Sequence, residues 1–305
     1  MAQLTTSTEV SLKNILVATD FSAAALAALT CIVPIARQFN SMVHIVHVVH
    51  PQEIGIASPE VNSDIDQQAH IDAQRQLELL ETEVGMVPHR KWLLEGEVSE
   101  AIEDLVRSQY IDLVAVGASG KSGLEKFFLG SVAEEIVRSA TCPVLTVGPQ
   151  APSTSGREPI AQLLYVTHFW EESHYGLQYA IQLAIQNKSR LLLLHVIEQD
   201  DPKRSDHEWL REYRRMLRNL LPESAGNLPE EPVLRVEVAK HSAARILQVA
   251  DEIGADLIVM DIRPGELWAT HLHDKVSEII SCASCPVLTV RTKPEHNGGE
   301  EGLKE

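Results

Sequence analysis

The chain carries the same series of motifs twice, in the same order. Residues 14–21 (NILVATDF) resemble residues 162–169 (QLLYVTHF), and each motif keeps its place relative to the others. The four recurring pairs are 14–21 with 162–169, 43–49 with 191–197, 112–116 with 256–260, and 131–136 with 275–280. Four ordered matches predict a tandem duplication, in which one structural unit is built twice.

Each copy alternates short apolar runs with longer amphipathic stretches. Most of the apolar runs are continuous Val, Ile and Leu segments, which is typical of strands covered on both faces of a parallel sheet. The alternation predicts right-handed crossovers, and hence two tandem α/β domains, each a doubly wound parallel sheet. Ser22 and Ser99 are the predicted N-caps of two helices. In the first copy we predict strands over 13–19, 42–49, 90–95, 112–117 and 143–147, and helices over 22–39, 63–84, 98–109 and 131–140.

The spacing of the repeat also predicts the domain boundaries. The first domain spans 1–148, and residues 149–159, rich in Pro, Ser and Gly, form a linker. The second domain spans 160–291, and a charged segment with several glycines, 292–305, is a disordered tail.

The chain is strongly acidic. It has 26 Lys and Arg against 43 Asp and Glu, a formal net charge of −17. Such a charge repels nucleic acids and anionic membrane surfaces, so we expect neither as a partner. There is no apolar run of roughly 18–20 residues and no basic stretch ahead of an apolar one near the N-terminus, so we expect a cytoplasmic protein.

The four cysteines admit two interpretations. Cys282 and Cys285 have a spacing that is also found in redox and zinc sites. However, Cys142 and Cys285 both precede the same five residues, Pro-Val-Leu-Thr-Val. A repeated cysteine at the entry to a strand indicates a small packed side chain, and we favour that interpretation.

A glycine-rich segment follows the fourth strand and admits two interpretations as a phosphate loop. Gly120-Lys121-Ser122 could end a Walker A loop, but the next strand offers no aspartate to hold a metal. The full pattern is Gly-x2-Gly-x9-Gly-Ser, which places glycines at 117, 120 and 130 and a serine at 131. Glycines allow close approach of the backbone, and a helix that starts at Ser131 would offer its free N–H groups, including that of Val132, to a phosphate. We favour this second interpretation.

This glycine pattern, placed after the fourth strand of a doubly wound sheet, resembles the ATP-binding branch of the universal stress protein family. The resemblance covers both halves and implies a flavodoxin-like, adenine nucleotide alpha hydrolase-like fold that binds ATP with Mg²⁺. By the same resemblance, Asp20 lies against adenine and ribose, and Ala18 occupies a neighbouring position of the nucleotide site. Val48 helps to recognise adenine through its backbone, and Val116 lines the base pocket. Asp20 could instead only cap the helix that begins near Ser22.

The second half departs from the pattern at every matched position. The substitutions are Gly117 to Asp261, Gly120 to Pro264, Gly130 to Asp274, Ser131 to Lys275 and Asp20 to His168. Because two added carboxylates would repel a triphosphate, we predict one nucleotide site per chain, in the first half. The resemblance further implies that the two halves pair through their last strands, 143–147 and 286–290, with a further homodimer as an option.

Other residues suggest weaker alternatives. His271 and His273, with Asp274, could hold zinc, although histidines in solvent or in a packed core are the simpler interpretation. No catalytic residues can be assigned from the sequence, so we interpret the protein as a nucleotide-binding sensor or regulator. The alternatives are a stress protein that binds zinc or a small apolar ligand, and a slow ATPase. The arginine-rich segment 209–218 is predicted to be an exposed helix face.

Overall fold

The described residues of the first half form five strands and five helices. A computed structural model of the chain describes residues 10–49, 59–118, 129–151, 160–169, 174–199, 207–262 and 270–291. Its elements in this half are β1 (Asn14–Ala18), α1 (Ala23–Phe39), β2 (Met42–Val49), α2 (Pro59–Leu79), α3 (Glu81–Val84), β3 (His89–Glu95), α4 (Val98–Ser108), β4 (Leu113–Gly117), α5 (Ser131–Ser139) and β5 (Val144–Val147).

The second half repeats this order of elements. A short 3₁₀ turn, Glu223–Asn227, takes the place of α3. The other elements are β6 (Gln162–Val166), α6 (His174–Asn187), β7 (Arg190–Glu198), α7 (His207–Leu220), β8 (Val233–Ala239), α8 (Ser242–Ile253), β9 (Leu257–Ile262), α9 (Thr270–Cys282) and β10 (Val287–Arg291).

The ten strands that the structure describes belong to one sheet. The strand order is β3-β2-β1-β4-β5-β10-β9-β6-β7-β8, and the pairs within each half are parallel. The halves join where β5 and β10 pair antiparallel, with Leu145 opposite Leu288. The tandem doubly wound fold predicted from the sequence is therefore confirmed. Because the junction is antiparallel, the carboxyl ends of the strands face opposite edges of the sheet in the two halves.

Two apolar layers cover the two faces of the sheet, and each layer runs through both halves. One contains buried residues of α4, α5, α8 and α9, among them Ile136 and Ile280. The other contains buried residues of α1, α6 and α7, among them Ile32, Ile181 and Leu217. The central strands of the first half, β1, β4 and β5, are therefore covered on both faces, which explains their continuous apolar sequence, whereas the edge strand β3 is partly exposed.

The helices differ from the prediction in three places. The stretch predicted as one helix over 63–84 begins earlier, at Pro59. It also forms two helices, α2 and α3, which are separated at Leu80. Ser22 is the N-cap of α1 as predicted, since its Oγ accepts a hydrogen bond from the Ala25 N–H at 3.2 Å. Ser99 is not an N-cap: α4 begins at Val98, so Ser99 lies inside the first turn and Glu97 takes the cap position.

Some predicted features fall outside the described residues, and others are visible in them. Most of the predicted linker and the whole predicted tail, 292–305, lie outside them. The predicted exposed arginine face is visible on α7, where Leu217 is buried and Arg211, Arg214 and Arg218 are exposed. Among the helices that the structure describes, none combines the length and apolar character that a membrane span requires.

Candidate functional site

The predicted pocket residues meet at the carboxyl ends of neighbouring strands. β1 lies between β2 and β4, so the chain changes direction across the sheet at this point, where open α/β sheets bind ligands. Ala18 pairs with Val46 on one side and with Val116 on the other. Ala18 and Val116 are buried, and Val48 packs against the same apolar layer. The structure thus brings these three predicted residues to one edge of the sheet.

The turn after β1 holds Asp20 at the surface. Phe21 has a left-handed backbone, with φ of 61°, and its N–H donates to Thr19 Oγ1 at 3.0 Å. The Asp20 carboxylate is exposed and accepts a hydrogen bond from the Ser22 N–H through Oδ1 at 2.9 Å. Asp20 therefore caps this turn, while Ser22 caps the helix. A carboxylate has about four acceptor positions, so Asp20 can still accept further hydrogen bonds.

The sequence analysis missed the residues that support this turn. His47 on β2 places its Nδ1 2.7 Å from the Thr19 carbonyl oxygen, and its ring centroid lies 4.3 Å from that of Phe21. The second half has the same arrangement, with 2.8 Å between His195 Nδ1 and the Thr167 oxygen. The signal was available in the repeat, because three residue types recur at a constant spacing: Thr19 and Thr167, Phe21 and Phe169, His47 and His195.

Gly117 lies directly against the first turn of α1. A Cβ atom added at Gly117 would lie 2.3 Å from the Ala24 carbonyl carbon and 2.6 Å from the Ala25 nitrogen, both backbone atoms. Glycine is thus required here for packing between β4 and α1. This packing role is additional to the close approach to a nucleotide that the sequence predicts.

The start of α5 lies at the same edge of the sheet. Gly130 is the N-cap, with φ of −58°, and provides no side chain to cap the helix. Its carbonyl accepts the Glu134 N–H at 2.8 Å, so the helix begins in the usual way. Within the described residues, no acceptor meets the N–H groups of Ser131 and Val132, and Val132 is 40% exposed. Gly120 and the rest of the loop, 119–128, lie outside the described residues.

In the second half, the residue equivalent to Gly117 is Asp261, whose side chain is buried and hydrogen-bonded within the protein. Asp261 is 4% exposed and accepts hydrogen bonds from Tyr165 Oη at 2.6 Å and from the Gly176 N–H at 2.8 Å. Burial raises the pKa of Asp261 to about 7, although both hydrogen bonds act to lower it. Asp261 is therefore part of the packing beneath the pocket, and at neutral pH it carries only part of a charge. The sequence prediction treated it as a full charge beside the ligand.

In the second half, a cluster of charged and polar side chains occupies the position that corresponds to the proposed phosphate site of the first half. Lys275, which replaces Ser131, donates to Glu198, and the Glu198 carboxylate also accepts from the N–H and Oγ of Ser242. Burial alone would raise the pKa of Glu198, but these hydrogen bonds and the Lys275 charge bring it down to about 2. The cavity that remains beside His168 and Asp261 has a volume of about 10 Å³, roughly the space of one water molecule. Pro264 lies outside the described residues.

Two histidines, His44 and His168, lie in packed surroundings. His44 is buried, accepts from Trp92 Nε1 at 3.1 Å and lies 3.4 Å from Asn14 Oδ1. Burial lowers the pKa of His168 to about 4, with help from the neighbouring His195 and Lys275, so its ring is neutral at pH 7. No group of three metal-binding side chains occurs within the described part of the chain. The side chains of the zinc candidates His271 and His273, on α9, lie outside it.

No disulfide links the four cysteines, all of which lie among the described residues. Cys285 is buried just ahead of β10. Burial raises the pKa of both Cys142 and Cys285 to about 12. Such thiols are poor nucleophiles and poor metal ligands at neutral pH, as the packing interpretation predicts.

Comparison with known proteins places both halves in one family. A model described as the universal stress protein family matches residues 11–148 and 160–291. A universal stress protein of Methanocaldococcus jannaschii is 32% identical over 139 residues, which are 44% of this chain and 81% of that protein. Universal stress protein A homolog 1 of Coxiella burnetii is 32% identical over 138 residues, 44% of this chain and 95% of its own length. The crystal structure of a universal stress protein from Archaeoglobus fulgidus is 18% identical, covers 91% of this chain and 98% of its own, and superimposes with a TM-score of 0.68.

Proposed function

The chain belongs to the universal stress protein family, and from that membership we propose that it binds one adenine nucleotide, ATP with Mg²⁺, in its first half and acts as a stress-response regulator. The observation that carries the proposal is the difference between the two halves at the same position of the fold. At the start of α5, the N–H groups of Ser131 and Val132 have no acceptor within the part of the chain that the structure describes. At the equivalent position of the second half, Lys275 is paired with Glu198.

Phosphate recognition is assigned to the backbone of the first half. The N–H groups of Ser131 and Val132, with the Ser131 hydroxyl, are donors of the kind that a helix start offers to a phosphate. We propose that Gly117, Gly120 and Gly130 let the chain pass close to the phosphates. The first 148 residues carry 9 basic and 19 acidic side chains. Backbone donors and Mg²⁺ are therefore required to offset an unfavourable field.

The base and the ribose are assigned to the edge formed by β1, β2 and β4. We propose that Ala18, Val48 and Val116 form the apolar side of the adenine pocket, since all three belong to one apolar layer at the same edge. We propose that Asp20 accepts hydrogen bonds from the ribose hydroxyls, because its carboxylate is exposed and the turn that carries it is held by Thr19 and His47.

The proposed mechanism is regulation by occupancy. A bound nucleotide would change the surface around its site, which partners contact. We propose that the β5–β10 pairing takes the place of a dimer of single-domain chains, and that a further homodimer, if it forms, uses other surfaces. The free thiols agree with a reducing compartment such as the cytoplasm.

Gly130→Asp tests the nucleotide site. The φ of −58° at Gly130 is accessible to any residue, and aspartate is a favoured N-cap, so we expect the fold and α5 to be retained. The new carboxylate would accept the N–H groups that the phosphates need and would repel them. We expect isothermal titration with Mg-ATP to give one site per chain in the wild type, and an affinity at least about 10-fold weaker in the variant.

The matched control is Asp274→Asn, at the equivalent position of the second half. It should leave both the affinity and the stoichiometry unchanged. Two equivalent ATP sites in the wild type, or unaltered binding by Gly130→Asp, would contradict the proposal.

A further inference from the structure

The pairing of β1 with β2 stops just before the turn that carries Asp20. Its register ends where Ala18 lies opposite Val46, and the last bond runs from the Thr19 N–H to the Val46 carbonyl oxygen, at 2.9 Å. In a parallel ladder, the N–H and C=O of alternate residues face the same neighbouring strand. Because Val46 faces β1, the N–H and C=O of Val48 point to the same side, beyond the end of the pairing.

A longer ladder would pair the backbone of Val48 with the turn. Its N–H would donate to the Thr19 carbonyl oxygen, and its own carbonyl oxygen would accept the Phe21 N–H. Among the described residues, however, the Val48 N–H has no acceptor and its carbonyl oxygen has no donor. Backbone groups of a half-buried strand are normally paired, so two open groups on one residue require a cause.

The cause lies in two side chains that take the place of Val48. His47 Nδ1 is 2.7 Å from the Thr19 carbonyl oxygen, and because this oxygen can only accept, Nδ1 is the donor. Thr19 Oγ1 accepts the Phe21 N–H at 3.0 Å. Each contact uses one of the two groups that would otherwise bond to Val48. Together they leave one donor and one acceptor of β2 open at the edge of the sheet.

These contacts lie on the other face of the sheet from the proposed base pocket. Successive residues of a strand point to opposite faces. The His47 ring lies 4.3 Å from that of Phe21, which packs against the layer of α1 and α6. Val48 packs against the layer of α4 and α5, to which Val116 also belongs. The turn is therefore held from behind, and the space beside Val48 stays clear.

We infer that Thr19 and His47 are positioning residues that keep the backbone of Val48 unpaired, so that it can select the base of the nucleotide. This inference rests on the proposed nucleotide site and adds the cause of its base selectivity. An N–H beside a C=O complements adenine, which offers a ring nitrogen as acceptor next to an amino group as donor. Hypoxanthine has a ring N–H and a carbonyl oxygen there, so donor would meet donor and acceptor would meet acceptor.

The second half repeats the same contacts and supplies a matched control. The Phe169 N–H donates to Thr167 Oγ1 at 3.1 Å, and His195 Nδ1 lies 2.8 Å from the Thr167 carbonyl oxygen. In this half the position that corresponds to the proposed phosphate site is occupied by the ion pair of Lys275 with Glu198. A substitution of His195 therefore has the same local effect as one of His47, at a distance from the proposed nucleotide site.

The first test compares the affinities of the full chain for Mg-ATP and Mg-ITP by isothermal titration. The two nucleotides differ only in the base, and we expect the wild type to bind ATP at least about 10-fold more tightly. Thr19→Val keeps the shape of the side chain but removes the acceptor for the Phe21 N–H. His47→Phe keeps a ring against Phe21 but removes the donor. In each variant the ladder can extend to Val48, so the ATP preference should fall below about 3-fold.

Hydrogen exchange of the Val48 amide, followed by NMR without nucleotide, is the second test. In the wild type this amide should exchange at least about 10-fold faster than that of Val46, which is bonded within the ladder. In His47→Phe it should become protected, because the Thr19 carbonyl oxygen is then free to accept it. Thr19→Ser keeps the hydroxyl, and His195→Phe alters only the second half. Both controls should keep the ATP preference and the Val48 exchange of the wild type.

Three results would overturn the inference: a Val48 amide as protected as that of Val46 in the wild type, an ATP preference that is unchanged in both folded variants, or an equal loss in His195→Phe. Circular dichroism shows which variants fold, and Thr19→Val and His47→Phe test the inference independently. A wild type that binds neither nucleotide would contradict the proposed nucleotide site. The exchange of the Val48 amide would still decide whether Thr19 and His47 keep that backbone unpaired.

Discussion

Gly117→Ala is expected to destabilise the protein by about 3 kcal/mol, the upper part of the range for overpacked sites. The new methyl group would lie 2.3 Å from the carbonyl carbon of Ala24. Its neighbours there are backbone atoms of the first turn of α1, which cannot rotate away as a side chain can. Either α1 or the end of β4 must shift, and both support the turn that carries Asp20. We therefore expect a lower free energy of unfolding in urea, together with weaker nucleotide binding.

Gly226→Ala is the control for this substitution. Gly226 has open space around it, with nothing within 4 Å of an added Cβ, and its backbone is not left-handed. Gly226→Ala should therefore change the free energy of unfolding of the protein by less than about 0.5 kcal/mol. Equal stability of Gly117→Ala and wild type would show that β4 and α1 are not packed as closely as described.

Asp261→Asn is expected to change how stability depends on pH. The pKa of Asp261 is raised from 3.8 to about 7 in the folded chain, so folding favours the protonated form. The stability that this group contributes is full below pH 3.8 and is lost as the pH rises towards 7. The difference between the two pKa values corresponds to about 4 kcal/mol. Asparagine does not titrate, and it also avoids the cost of a buried charge at neutral pH.

His168 has the opposite effect on the pH dependence of stability, over nearly the same pH range as Asp261. Its pKa is lowered from 6.5 to about 4, so its contribution is present above pH 6.5 and is lost as the pH falls through 4. In the wild type the two groups largely offset each other between pH 7 and 4.5. When the pH is lowered from 7 to 4.5, the free energy of unfolding of Asp261→Asn should therefore fall by about 3 kcal/mol relative to that of the wild type.

Urea unfolding at the two pH values measures this change. Asp104→Asn, in which a 76% exposed carboxylate is neutralised, provides the control and should follow the wild type. A parallel pH dependence of Asp261→Asn and wild type would mean that Asp261 is ionised in the folded chain over this whole range.

Most of the fold could be predicted because its elements depend on local pattern. Continuous apolar runs identify buried parallel strands, and the repeat fixes their order twice. The errors occurred where the pattern carries no information. At Ser99 a good capping residue lies two residues after the observed N-cap, Glu97, because the helix starts where Val98 can pack against the apolar layer. The break at Leu80 lies within a stretch whose sequence remains helical.

The site could be predicted only as a set of residues. Spacing in the sequence brings Asp20, Val116 and Gly117 to one sheet edge, but it does not show what each one contacts. Two features depend on distant contacts that periodicity does not reveal: the packing of Gly117 on α1, and the burial of Asp261 beneath Tyr165. The substitution from glycine to aspartate suggested repulsion of a ligand, whereas in the structure Asp261 is part of the packing of the second half.

The antiparallel pairing of β5 with β10 also affects how the protein responds to dilution. Two separate chains that paired through the same strands would fall apart as their concentration dropped, and their stability would drop with it. Here the two strands belong to one chain, so each meets the other at a high effective concentration that does not depend on how much protein is present. The paired form should therefore persist whether the cell makes few copies or many.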